Sequence, residues 1–109
     1  MHKPAWERPD EENFSDIESA LGGQPYTVFY GHVHSYLHQQ RHGRDYIRLG
    51  TTGGSHAPGN PMAIDHVSLV TVSGDGVDIA NLRMSGIFDK TGKVPLNGDA
   101  ICLEECANK

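Results

Sequence analysis

Apolar positions change their period along the chain. Phe14, Ile17 and Leu21 recur at helical spacing and form one stripe, with Ala20 beside it. Asp10 stands ahead of the stripe as a cap, and Glu11 and Glu12 suit a first turn. Gly22-Gly23 follows and stops the run. The pattern predicts one helix over residues 10–22, with residues 1–9, which include Pro4 and Pro9, as a loop.

The pattern then turns to strands. Residues 26–30, Tyr-Thr-Val-Phe-Tyr, are dense in β-formers and predict a buried strand. Residues 36–41 and 46–49 predict a hairpin around His42-Gly43-Arg44. Residues 50–61 form a turn-rich loop. A second hairpin is predicted for residues 67–72 and 77–82 across residues 73–76. In its first strand, alternation puts Val67, Leu69 and Thr71 on one side and Ser68, Val70 and Val72 on the other. Past Met84 the signal fades, so residues 86–109 are expected to be an irregular tail. The strand at 26–30 wants neighbours on both sides, and only a loop and a helix precede it. That imbalance suggests part of a domain, with all of residues 1–109 belonging to it.

Composition narrows the functional classes. The chain has 109 residues, 37% apolar, with 13 glycines, which suits a turn-rich β protein or a piece of one. Its net charge of −5 gives no general attraction to nucleic acid or to anionic membranes. No apolar run approaches the roughly 18 residues of a membrane span, and Met1 to Trp6 carries no apolar signal region. Cys102 and Cys106 are too few for a disulfide framework and are expected in a solvated or packed tail.

Candidate chemistry concentrates at Tyr30-Gly31-His32-Val33-His34. Gly31 permits a tight turn at the strand end. Two imidazoles leaving that end can reach neighbouring points, and imidazole is the commonest metal ligand at neutral pH. His38 and His42 flank a hairpin end as exposed polar residues, His56 sits in the glycine loop, and His66 packs or hydrogen-bonds at a strand start. Arg44 and Arg48 are hairpin charges. Residues 50–54 lack the Gly-Lys-Ser/Thr ending of a phosphate loop, and a turn closing the sheet is expected there.

Gly31-His32-Val33-His34 after a buried strand, His2 ahead of Lys3-Pro4, and the later Gly50-Thr51-Thr52-Gly53-Gly54 turn together resemble the calcineurin-like metallophosphoesterases, which include the purple acid phosphatases. The resemblance covers residues 1 to about 85. It implies an α/β fold, the C-terminal part of an αββα sandwich, here mostly β strands with one helix near residues 10–22. It implies His2 and His32 on one metal ion and His34 on the other, with a pair drawn from Fe, Mn or Zn. It also implies hydrolysis of phosphomonoesters or phosphodiesters by metal-activated hydroxide. The family's bridging aspartate, Asp-x-His and Gly-Asn-His motifs are not found in this sequence. The chain is therefore expected to be the C-terminal portion of such a phosphatase-like hydrolase, inactive alone and partnered by the missing N-terminal half. The alternative is a small non-enzymatic β domain that binds a single metal or a protein partner.

Overall fold

A computed structural model of the chain describes residues 1–8, 13–56 and 58–96. The expected helix start at Asp10 to Glu12 and the Cys102–Cys106 pair lie outside these residues. A 3-10 turn at Ala5–Glu7 precedes the helix α1 (Phe14–Leu21). The strands are β1 (Val28–Tyr30), β2 (Leu37–Arg41), β3 (Arg44–Arg48), β4 (Val67–Ser73), β5 (Gly76–Arg83) and β6 (Gly86–Phe88).

They form two three-stranded sheets, ordered β1-β3-β2 and β4-β5-β6. In the first, β1 runs parallel to β3, with Phe29 opposite Ile47, and β2 runs antiparallel to β3. His42 and Gly43 link β2 to β3 with φ of 52° and 72°, the positive values a two-residue hairpin turn requires. The second sheet is an antiparallel meander, with Val70 opposite Ile79 and Leu82 opposite Ile87.

Alternation along β1 and β3 sorts the core into two clusters. Tyr30 and Tyr46 face the helix side with Phe14, Trp6 and Tyr26. Ile47 and Phe29 face the second sheet with Tyr36, Ile64 and Ile79. The described layers are therefore helix, sheet, sheet. The outer face of the second sheet carries Val67, Leu69 and Leu82, all exposed, and no helix covers it among the described residues.

Four expectations need correction. Residues 1–9 are not all loop: Trp6 packs on Phe14, Tyr30 and Tyr46 at 4.7–5.4 Å between ring centres, and this anchor winds Ala5–Glu7 into a turn. Ile17 is exposed, and Glu18 is buried in its place. Arg41 grips both Glu18 oxygens at 3.0 and 3.1 Å and the Tyr46 hydroxyl donates at 2.5 Å, so a charged pair takes the position beside Phe14. The third correction concerns the tail, where Gly86–Phe88 forms β6 and Leu96 N–H donates to Ile87 O at 2.8 Å. The fourth is His38, which is mostly buried and bonded to Asp45 at 2.7 Å. Burial alone would raise the Asp45 pKa, but bonds from His38, Lys90 and Gln40 overcome it and hold the carboxyl at about 2. Lys90 reaches Asp45 from beyond β6 at 2.9 Å, joining the two sheets.

A polar network makes a second junction between the sheets. Asn81, fully buried, donates to the Tyr36 hydroxyl and to Asp89 O, both at 2.9 Å, and accepts from Ser68 at 2.6 Å. His66 Nδ1 lies 3.1 Å from Asn81 Oδ1, and its Nε2 accepts the Gly50 N–H at 2.9 Å. Those two bonds place the single proton of a neutral ring on Nδ1. Burial pushes the His66 pKa down, with Arg83 adding to the shift. At Gly50 a β-carbon would meet Ile64 O at 2.5 Å and the His66 ring at 3.2 Å.

Gly50→Ala should therefore destabilise the chain by about 2 kcal/mol through backbone overpacking, read as a lower urea midpoint. Gly74→Ala, where a β-carbon meets nothing within 4 Å, should change it little. His66 gives a pH signature. Its folded pKa lies below the unfolded value of about 6.5, so its contribution is complete above that pH and declines as pH falls toward the folded value. Stability measured by urea from pH 7.5 to 5 should fall less steeply in His66→Gln than in the natural chain; parallel slopes would refute the assignment.

Candidate functional site

The chain leaves β1 through Gly31 into a backbone that L-residues rarely adopt. His32 has φ 79° and His34 has φ 65°. Such conformations cost on the order of 1–3 kcal/mol each and persist where the surroundings fix them. Here Gly31 N–H donates to His2 O at 2.8 Å, and the Met1 amine donates to Phe29 O at 2.9 Å. Beyond the histidines, Arg48 clasps Ser35 O at 2.8 Å and Ser35 Oγ at 2.9 Å. Tyr36 N–H then donates to Met62 O at 2.7 Å. Arg48 is thus engaged within the fold, directly after His34, and Arg44 lies over the Tyr26 ring at 5.8 Å.

His2 and His32 come together. His2 Nε2 and His32 Nδ1 are 3.2 Å apart, with their rings 77° from parallel. The separation suits one shared proton. It also suits two ligands of one ion: at metal–nitrogen distances of about 2.0–2.1 Å, tetrahedral geometry sets two nitrogens about 3.4 Å apart and octahedral geometry about 2.9 Å. The His32 pKa is lowered, first by desolvation and then by the nearby basic side chains of Lys3, His2, Arg8 and His34. The neutral ring that results is the form that ligates.

His34 turns elsewhere. Its Nδ1 lies 2.8 Å from Ser55 O and 3.1 Å from Ser55 Oγ. A carbonyl only accepts, so the proton sits on Nδ1 and the Nε2 lone pair is left for another partner. His2, His32 and His34 line one open cleft of about 480 Å³, together with Gly31, Gly50 and Thr51. Among the described residues, no three His, Cys, Asp or Glu side chains converge as a metal shell.

The remaining histidines lie outside this group. His38 serves Asp45, His42 lies 3.5 Å from Glu18, and His66 belongs to the buried network. His56 lies 3.1 Å from both Asp65 and the Thr51 hydroxyl. Residues 50–54 do close the structure as a turn, through a bridge between Thr51 and Asp65. Two supporting residues were not singled out from the sequence. Ser55 orients His34. Asp65 accepts from the Thr51 hydroxyl at 2.6 Å and Gly53 N–H at 2.8 Å, and these bonds, Thr51 first, hold its pKa at about 2. Neither carries a local motif; only folding brings them to the turn.

No sequence-family profile matches the chain, and no curated protein matches it in sequence. Among solved structures, the fold is similar to a single-site mutant of Vps29 from Entamoeba histolytica, with a TM-score of 0.52 and 16% identity. The match covers 77% of this chain and 46% of that one, so the chain spans less than half the length of its structural neighbour. Vps29 has a calcineurin-like metallophosphoesterase fold, and at this identity the likeness shows a similar fold and does not reach the purple acid phosphatases. Among the described residues the chain is mixed α/β, mostly β strands with one helix, and is consistent with a fragment of a metallophosphoesterase-like fold.

Proposed function

We propose that the chain supplies the histidine side of a metal-dependent phosphoester hydrolase centre. His2 and His32 hold one ion, and His34 contributes to a second through Nε2. The observation that carries this is the 3.2 Å approach of His2 Nε2 to His32 Nδ1 beside two histidines with positive φ. A bound pair of Fe, Mn or Zn ions supplies Lewis-acid stabilisation of phosphoryl charge and activation of water. The residues of this chain aim the rings, and Arg48 and Ser55 fix the backbone and ring of that segment. The carboxylate ligands come from polypeptide beyond this sequence. That polypeptide also covers the exposed face of Val67, Leu69 and Leu82 and pairs with the outer edge of β4. A phosphomonoester or phosphodiester is the substrate of the completed centre, and the chain alone does not turn it over.

One observation favours a second reading. The absence of a three-ligand cluster among the described residues suits a non-enzymatic β module that binds a partner through its sheet edge. Metal content separates the two. After equilibration with zinc or manganese, mass spectrometry should find about one ion per natural chain and none in the His32→Ala/His34→Ala double variant. Equal, near-zero metal in both would favour the non-enzymatic module. Aryl phosphate turnover with manganese should match that of His32→Ala; a rate well above it would mean that the chain needs no completing half.

A further inference from the structure

We infer that Asp65 is the positioning residue that sets the tautomer of His34, acting through the turn at residues 51–55. Its use as a metal-site device rests on the proposed function; the tautomer itself does not. Asp65 Oδ1 takes the Thr51 hydroxyl at 2.6 Å and Gly53 N–H at 2.8 Å, which ties both ends of Thr51-Thr52-Gly53 to one atom. The backbone repeats the attachment: Thr51 N–H donates to Ile64 O at 3.1 Å, and His66 N–H donates to Thr51 O at 2.9 Å. Gly54 then lies against the Thr51 side chain, where a β-carbon would meet Thr51 Cγ2 at 3.1 Å. With residues 51 to 54 fixed, the next residue, Ser55, presents its carbonyl and hydroxyl to His34 Nδ1.

The carbonyl decides the outcome. Ser55 Oγ can donate or accept, so alone it would permit either tautomer. Ser55 O accepts only, and at 2.8 Å it demands a proton on Nδ1. This keeps Nε2 unprotonated and available to a cation, the arrangement usual for ligating histidines. Without Asp65 the turn loses the acceptor that gathers Thr51 and Gly53, and Ser55 is free to swing from the ring. The carboxylate therefore acts at a distance, through hydrogen bonds and chain geometry.

The test is long-range proton–nitrogen NMR of the full chain with ¹⁵N-labelled histidine, near pH 7.5 and without metal. The natural chain should show His34 protonated at Nδ1. Asp65→Ala should move His34 toward the Nε2–H form. Asp65→Asn, whose amide oxygen still accepts from Thr51 and Gly53, should keep Nδ1–H. Thr51→Val removes one donor and should shift the ring in the same direction by less; it decides the matter if Asp65→Ala does not fold. A folded Asp65→Ala with His34 unchanged, or an unshifted Thr51→Val where Asp65→Ala is unfolded, overturns the inference. If the natural chain binds no zinc, the proposed metal function fails, and the tautomer comparison still decides the role of Asp65.

Discussion

The two sheets are joined where Gly50-Thr51 meets Ile64-Asp65-His66, and the candidate site depends on that join. Three backbone N–H groups are satisfied there: Gly50 by the His66 ring, Thr51 by Ile64 O, and His66 by Thr51 O. A side chain at position 50 would drive a carbon into Ile64 O, so the close approach requires glycine. The same few residues form a wall of the histidine cleft and carry the turn that orients His34. Packing and chemistry thus share one short stretch of chain. Loosening it would cost stability and would also release the geometry of the site.

Strain at His32 and His34 follows from the same arrangement. Asparagine or glycine would adopt these positive φ values more readily. Their persistence requires fixed points on both sides. Gly31 is tied to His2 before them; Ser35 and Tyr36 are tied to Arg48 and Met62 after them. Arg48 lies on β3, the central strand of the first sheet, and so carries the rigidity of the sheet to the loop. This explains why Arg48, a hairpin charge in sequence, spends its Nε and Nη2 donors on Ser35.

Local pattern made most of the elements legible. The helix, the first strand and both hairpins stand close to their expected positions because periodicity and turn residues act over a few neighbours. The Gly-His-x-His segment stood out for the same reason. What pattern missed depends on distant partners. Glu18 reads as a solvated helix residue until Arg41 and Tyr46 arrive from the first sheet. The strand at Gly86–Phe88 is too short to alternate convincingly, and pairing with β5 defines it. Asp65 and Ser55 look like ordinary loop residues, since their partners lie 12 and 21 positions away. The pairing of His2 with His32 was expected only from family resemblance, because 30 positions separate them.

Electrostatics sets what three imidazoles can and cannot do for a pair of metal ions. Two divalent cations about 3.5 Å apart repel by on the order of 20 kcal/mol at an effective dielectric of about 20. Neutral histidines donate lone pairs but bring no negative charge to offset that repulsion. Asp65, the acidic residue bonded into the neighbouring turn, already spends Oδ1 on Thr51 and Gly53 and fastens them. The His2–His32 pair therefore suits a single ion, and His34, aimed by Ser55, lacks the anion that would make a second ion tolerable beside the first. Under the proposed function, a carboxylate docked on the same cleft would supply that anion. On the same proposal, polypeptide that supplied it would also find, among the described residues, an exposed apolar face and the outer edge of β4 to dock on.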